Sequence, residues 1–187
     1  MGMQSQAKES LIHLLQAAFS GELAAYYAYE GHQHSVRDVQ EKEEIKKIQT
    51  EEWEHRECLA EFLKDLGSGP SRWREIKFTL IGRVISLLCY IGGWYIPMYG
   101  AGKLERGNIV EYENAARLAA RAGFEEMVEP LLLMAEVEWD HELYFRSKSE
   151  SHWMRKIFPI WSPPPPRESI RETFYSAFPN LESRAEA

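Results

Sequence analysis

Cysteine is almost missing from this chain: of 187 residues only Cys58 and Cys89 carry a thiol. No Cys-x-x-Cys pair exists, which excludes a rubredoxin-type or zinc-ribbon module. Two lone cysteines need no disulfide and suit a reducing compartment. Positive charge is also short, with 22 Lys and Arg against 29 Asp and Glu and a formal net charge of −7. Phosphate binding needs a basic surface, so nucleic acid is excluded as the main partner. Aspartate is scarce; nearly all the acid is Glu, the better helix former. The opening "MGMQSQAKES" has no basic region followed by an apolar run, so no signal peptide is expected. The length fits one domain, or one domain with an appendage, and allows a sizeable core.

What the chain does have is helical periodicity. Residues 5–34 place Leu11, Leu14, Leu15, Ala18, Glu22, Ala25, Tyr26 and Tyr29 on one stripe of three- and four-residue steps. A second helix is expected over 38–66, opened by Asp38 as N-cap and closed by Gly67. A third is expected over 98–122, ending at Gly123, and a fourth over 124–149, with Pro130 tolerated near its start. Between the second and third lies "VISLLCYIGGWYIPMYGAG", residues 84–102, without a charge. Its glycines, Pro97, Trp94 and tyrosines make it a poor simple membrane span. Arg72, Arg74, Lys77 and Arg83 precede it and Lys103 and Arg106 follow, the flanking of a segment that meets a lipid interface. A buried crossover or a subunit interface would account for the same composition. The predicted organisation is all-α: a four-helix bundle of two helical hairpins over 1–150, with this apolar crossover. The proline-rich tail, 151–187, is expected to be extended, with a short helix over 167–176 and a loose last ten residues.

Two tetrapeptides stand out. "EEWEH" occupies 51–55 and "VEWDH" 137–141, so Glu52 and His55, and Glu138 and His141, are spaced i, i+3 on a helix face. One Glu-x-x-His is expected about once by chance in so Glu-rich a chain, but the pair has company. Glu22 is followed seven residues later by Tyr29, and Glu105 seven residues later by Tyr112. Seven residues is two helical turns, so each Glu shares a stripe with its Tyr. Glu22 to Glu105 spans 83 residues and Glu52 to Glu138 spans 86, so the hairpin pattern is written twice. One Glu from each of two helices and Glu-x-x-His from each of two others suit a pair of metal ions bridged by carboxylates. Glu111 and Glu113 compete with Glu105 for the third-helix place. Glu51, Glu54 and Glu57 are assigned to the solvated face, Trp53 and Trp139 to shielding of the site, and His13, His32, His34 and His152 to the surface.

On these residues, with "GELAAYYAY" around Glu22 and the Gly-rich apolar stretch, residues 8–149 resemble the ferritin-like di-iron carboxylate superfamily. Within it the chain is most similar to the demethoxyubiquinone hydroxylase family. The resemblance implies a small di-iron, dioxygen-dependent monooxygenase that hydroxylates a quinone-like or other hydrophobic substrate. Glu22 and His55 would hold one iron, Glu105 and His141 the other, and Glu52 and Glu138 would bridge. Tyr29 and Tyr112 would hydrogen-bond ligands, and Trp94, Tyr95 and Tyr99 would belong to the segment that meets substrate and membrane. Manganese in place of iron is not excluded. A rubrerythrin-like peroxidase, a ferroxidase or an iron-binding protein without turnover is the alternative. The expected partners are the hydrophobic substrate and dioxygen, a membrane face touched peripherally, and further copies of the chain in a homo-oligomer. The expected location is the cytoplasm, at the inner face of the membrane. The proline-rich tail and Gly107, two residues after Glu105, depart from the family pattern.

Overall fold

The sequence writes its own helix boundaries, and a computed structural model describing residues 2–181 shows where they fall. The α-helices are α1 (Met3–Ser35), α2 (Val39–Asp65), α3 (Arg72–Gly92), α4 (Tyr95–Ala122), α5 (Val128–Ser151) and α6 (Ser169–Ala177). Short 3₁₀ turns, Glu125–Met127 and Trp153–Lys156, precede and follow α5, and no strand occurs among the described residues. Asp38 opens α2 by accepting from the Glu41 N–H at 2.9 Å, which satisfies one of the orphan donors of the first turn. Gly123, at φ +83°, closes α4 in the left-handed conformation that glycine adopts without a Cβ penalty.

Direction follows from side-chain pairs. Gln16 donates to the Gly69 carbonyl and Gln49 to the Tyr26 carbonyl, both at 2.8 Å, so α2 runs antiparallel to α1. Glu22 meets Tyr112 and Tyr29 meets Glu105, so α4 also runs against α1. Gly102 lies against Phe145 and Asn108 reaches Glu138, so α5 returns antiparallel to α4. These four helices make two hairpins packed into one bundle.

The expected crossover is itself a long helix. No proline interrupts 72–92, and α3 carries the chain back along α1, in parallel, from the end of α2 to the start of α4. Only at Gly93, φ +65°, does it break. Pro97 then falls in the first turn of α4, where a missing N–H costs little. Close approach of α3 to α1 rests on two glycines. A Cβ on Gly31 would lie 2.2 Å from the Ser86 carbonyl, and one on Gly82 would lie 2.6 Å from the Ala24 carbonyl. The opposite face of α3 stays uncovered: Trp73, Ile76, Leu80, Leu87 and Ile91 are exposed. No helix among the described residues is long and apolar enough to cross a membrane.

Two apolar clusters fill the bundle, one toward each end. Leu11, Leu15, Leu59, Leu63, Ala115, Ala119, Leu131 and Ala135 form the larger. Ile45, Ile48, Met98 and Phe145 form the smaller, with Tyr29. The tail packs on the α4–α5 seam rather than trailing away. Trp161 donates to Glu142 at 2.7 Å, and its ring occupies the space left by Gly102. Trp139 donates to the Pro165 carbonyl at 2.9 Å. The short helix forms at 169–177, near its expected place, and Arg171 ties it to Glu136 and Glu129. Phe178 and Leu181 pack against the larger cluster, so the expectation of a loose end fails there. The remainder of that expectation, 182–187, lies outside the described residues.

Candidate metal centre

Between the two apolar clusters the bundle turns polar. Glu22 on α1, Glu52 and His55 on α2, Glu105 on α4, and Glu138 and His141 on α5 are all buried, and Glu52 and Glu138 are 0% exposed. They form two overlapping groups of four: Glu22, Glu52, His55 and Glu138, and Glu52, Glu105, Glu138 and His141. Within each group the potential ligand atoms lie within 4.8 Å of one another. Glu52 and Glu138 belong to both groups. Each hairpin supplies one lone Glu and one Glu-x-x-His, so neither hairpin alone completes a group.

The cluster is unsatisfied in a telling way. Glu22 Oε2, both oxygens of Glu52, Glu138 Oε1, and the Nδ1 atoms of His55 and His141 are buried without a hydrogen bond. His55 Nδ1 lies 3.1 Å from Glu138 Oε1, and His141 Nδ1 lies 3.3 Å from Glu52 Oε1, close but not aligned for hydrogen bonding. Other buried acids of α5 differ. Glu142 accepts from Arg146 and Trp161, and Glu136 from Arg171. Burying a carboxylate without a counter-charge is costly. Buried donor atoms that converge on one space without hydrogen-bond partners are what a cation requires, so the donor set fits a metal site.

Electrostatics agree. Burial, then Glu52, pushes the Glu22 carboxyl well up; burial, then Glu138, does the same to Glu105. Burial and the neighbouring Glu138 and Glu105 raise Glu52 to about 7. Glu138 is raised chiefly by burial, which also lowers His55. At His141 burial acts downward too, but the carboxylates of Glu138, Glu51 and Glu52 around the ring outweigh it and the net shift is up.

The two tyrosines cross over. Tyr29 on α1 donates to Glu105 on α4, and Tyr112 on α4 donates to Glu22 on α1. Each therefore orients the glutamate of the other hairpin rather than its own. Glu111 is half-buried outside the cluster, and Glu113 pairs with Arg117 at 3.5 Å; Glu105 alone of the three candidates faces the centre.

Other assignments need correction. His32 is buried, stacked with Tyr29 and Phe145, and burial lowers it to about 3. Trp53 is 39% exposed and donates to Glu57, so it shields nothing. Trp139 serves the tail. Glu51 is no solvated-face residue: its Oε2 accepts from His141 Nε2 at 2.9 Å. No local signal marks it, because the partner lies on α5. Asn108, three residues after Glu105, donates to Glu105 at 2.9 Å and to Glu138 at 3.4 Å.

A cavity of about 680 Å³ reaches the cluster between α1, α3 and α4. Its walls are apolar, with Ala24 and Ala28 from α1, Phe78, Ile81 and Ile85 from α3, and Pro97 and Leu104 from α4. Glu22, Tyr29, Glu105, Asn108 and Tyr112 give it a polar patch at the cluster, and His32, Lys103 and Glu111 also line it. Trp94, Tyr95 and Tyr99 do not line it. Helical spacing gives Ile96, Pro97, Gly100 and Ala101 to the cavity and turns those three aromatics to other partners. Trp94 donates to Glu41 at 2.7 Å, and Tyr99 to the Pro159 carbonyl of the tail at 3.1 Å. Tyr95 is buried against Tyr99 and His152.

No family model, curated protein or solved structure matches the chain. Fold and site together define an all-helical bundle with a buried Glu/His cluster compatible with a metal ion.

Proposed function

We propose that this chain is a ferritin-like di-iron monooxygenase, similar to the demethoxyubiquinone hydroxylase family, that uses dioxygen to hydroxylate a quinone-like or other hydrophobic substrate. The observation that carries the reading is the pair of four-residue groups sharing Glu52 and Glu138. Four carboxylates balance two divalent ions, which leaves a neutral centre in an apolar interior. Glu22 and His55 would hold one ion, Glu105 and His141 the other, with Glu52 and Glu138 spanning both. Iron held there by carboxylates and imidazoles would supply reductive activation of dioxygen.

The chain's own residues do the rest. Tyr29 and Tyr112 fix the two terminal glutamates by hydrogen bonds from the opposite hairpin. The apolar clusters above and below keep water from the centre. The cavity admits a flat or elongated apolar molecule and brings it against Glu22 and Glu105, a use for which a storage or ferroxidase site has no need. The bare apolar face of α3, beside Arg72, Lys77 and Arg83, would rest on an anionic membrane surface and take a lipid-soluble substrate from it.

Metal analysis joined to optical spectra of the anaerobic reduced protein, before and after dioxygen, tests the reading. About two irons per chain and an oxygen-dependent absorption change are expected. Less than about half a metal per chain from iron-replete cells would sink it. Lipid extracts of cells with and without the protein should then differ in a quinone precursor.

A further inference from the structure

The two halves of the centre match in their ligands and differ in what stands behind them. On the His141 side, Glu51 accepts from Nε2 at 2.9 Å, and Lys47 in turn lies 3.5 Å from Glu51. Asn108 donates to Glu105 at 2.9 Å, on the same side. On the His55 side the positions corresponding to these two supports are Val137, before Glu138, and Ala25, three residues after Glu22. Neither side chain can accept or donate a hydrogen bond. Both supports therefore fall on one half.

We infer that Glu51 is a positioning residue that makes the two metal positions unequal, so that the Glu105/His141 position fills first and holds its ion more tightly. The inference rests on the di-metal reading above. A carboxylate only accepts, so Nε2 must donate to Glu51, which fixes the ring and leaves Nδ1 aimed at Glu52 and Glu138. A ring held this way loses less freedom when it binds an ion, and the anionic partner makes it a stronger donor. Asn108 restrains Glu105 in the same sense. His55 has no such brace: its Nδ1 faces Glu138, and no acceptor among the described residues bonds the ring from behind.

The test is anaerobic titration of the metal-free full chain with ⁵⁷Fe(II), read by Mössbauer spectroscopy and calorimetry. In the wild type the first equivalent should enter one environment and the second another. Glu51→Ala should weaken the first step about 10- to 100-fold and leave the other within about threefold. Glu51→Gln, which keeps an oxygen acceptor, should restore the order of filling and serves if the alanine variant does not fold. A first equivalent spread evenly over two environments in the wild type, Glu51→Ala with both steps unchanged, or Glu51→Gln with the order of filling lost, overturns the inference while the di-metal reading stands. A wild type that takes up no iron overturns both.

Discussion

Glu52 shows what one buried carboxylate does to the metal-free protein. Burial and the neighbouring Glu138 and Glu105 raise its pKa from the ordinary 4.5 to about 7, so between those values the native state holds a proton that the unfolded state has released. Stability from such a group is present below the unfolded value and is lost as pH rises toward the folded one. Glu22, Glu105 and Glu138 shift in the same direction. His55, lowered by burial, acts the other way below its ordinary value, but one imidazole opposes four carboxylates. The melting temperature of the metal-free protein should therefore fall between about pH 5 and about pH 8. Glu52→Gln should flatten that slope, and metal should remove it; an unchanged slope in the variant would count against the assignment. At this scale the sequence was most readable where a pattern repeats, at the Glu-x-x-His pairs and the Glu-to-Tyr steps. It was least readable where a residue acts across helices. Nothing in the local composition of Glu51 separates it from its exposed neighbour Glu54, because the partner, His141, is 90 residues away. Nor could spacing say that Tyr29 serves Glu105 rather than Glu22.

Among the elements, α3 departs most from expectation. An uncharged run with glycines and a proline looks like a broken crossover, and the break is real, but it is only two residues, Gly93 and Trp94, with the turn made at Gly93. Upstream, Gly82 is a contact point with α1. Gly82→Ala would drive a Cβ into the Ala24 backbone, which cannot yield as a side-chain end could. Overpacking of this kind costs about 1–3 kcal/mol, more than the roughly 1 kcal/mol that alanine gains as a helix former. Gly107→Ala meets nothing within 4 Å inside α4 and should instead stabilise by about 0.5–1 kcal/mol. Thermal melts of the two variants should thus shift in opposite directions. Equal shifts would mean that α3 does not press on α1 as described. In the tail only the expected looseness fails, for a related reason. Its prolines do keep it out of long helix, yet the aromatic residues among them have sockets on the bundle. The Trp161 socket exists because position 102 is glycine, a fact that local reading of either segment misses.

For the whole molecule, an acidic chain carries one apolar face edged with cations. The side chains of Leu80, Leu87 and Ile91 are more than half exposed. If the proposed membrane contact holds, the protein should float with liposomes containing anionic lipid and be released by salt, since the basic flank acts through a screened field. Leu80→Asp with Leu87→Asp should abolish flotation while leaving iron content unchanged, because neither residue touches the cluster. Flotation that survives the double change would remove α3 as the contact.

The crossed tyrosines give the bundle a further meaning. Position 22 faces 112 and 29 faces 105, so α1 and α4 meet as the two sides of an isologous interface meet, residue i on j and j on i. Two separate copies of a single hairpin would join in this way. In such a symmetric dimer every substitution appears on both sides at once. Linked in one polypeptide, the two copies vary independently, and a glutamate at 51 can stand opposite a valine at 137. Covalent linkage of the hairpins is thus the condition under which the two sides of this centre can take different duties.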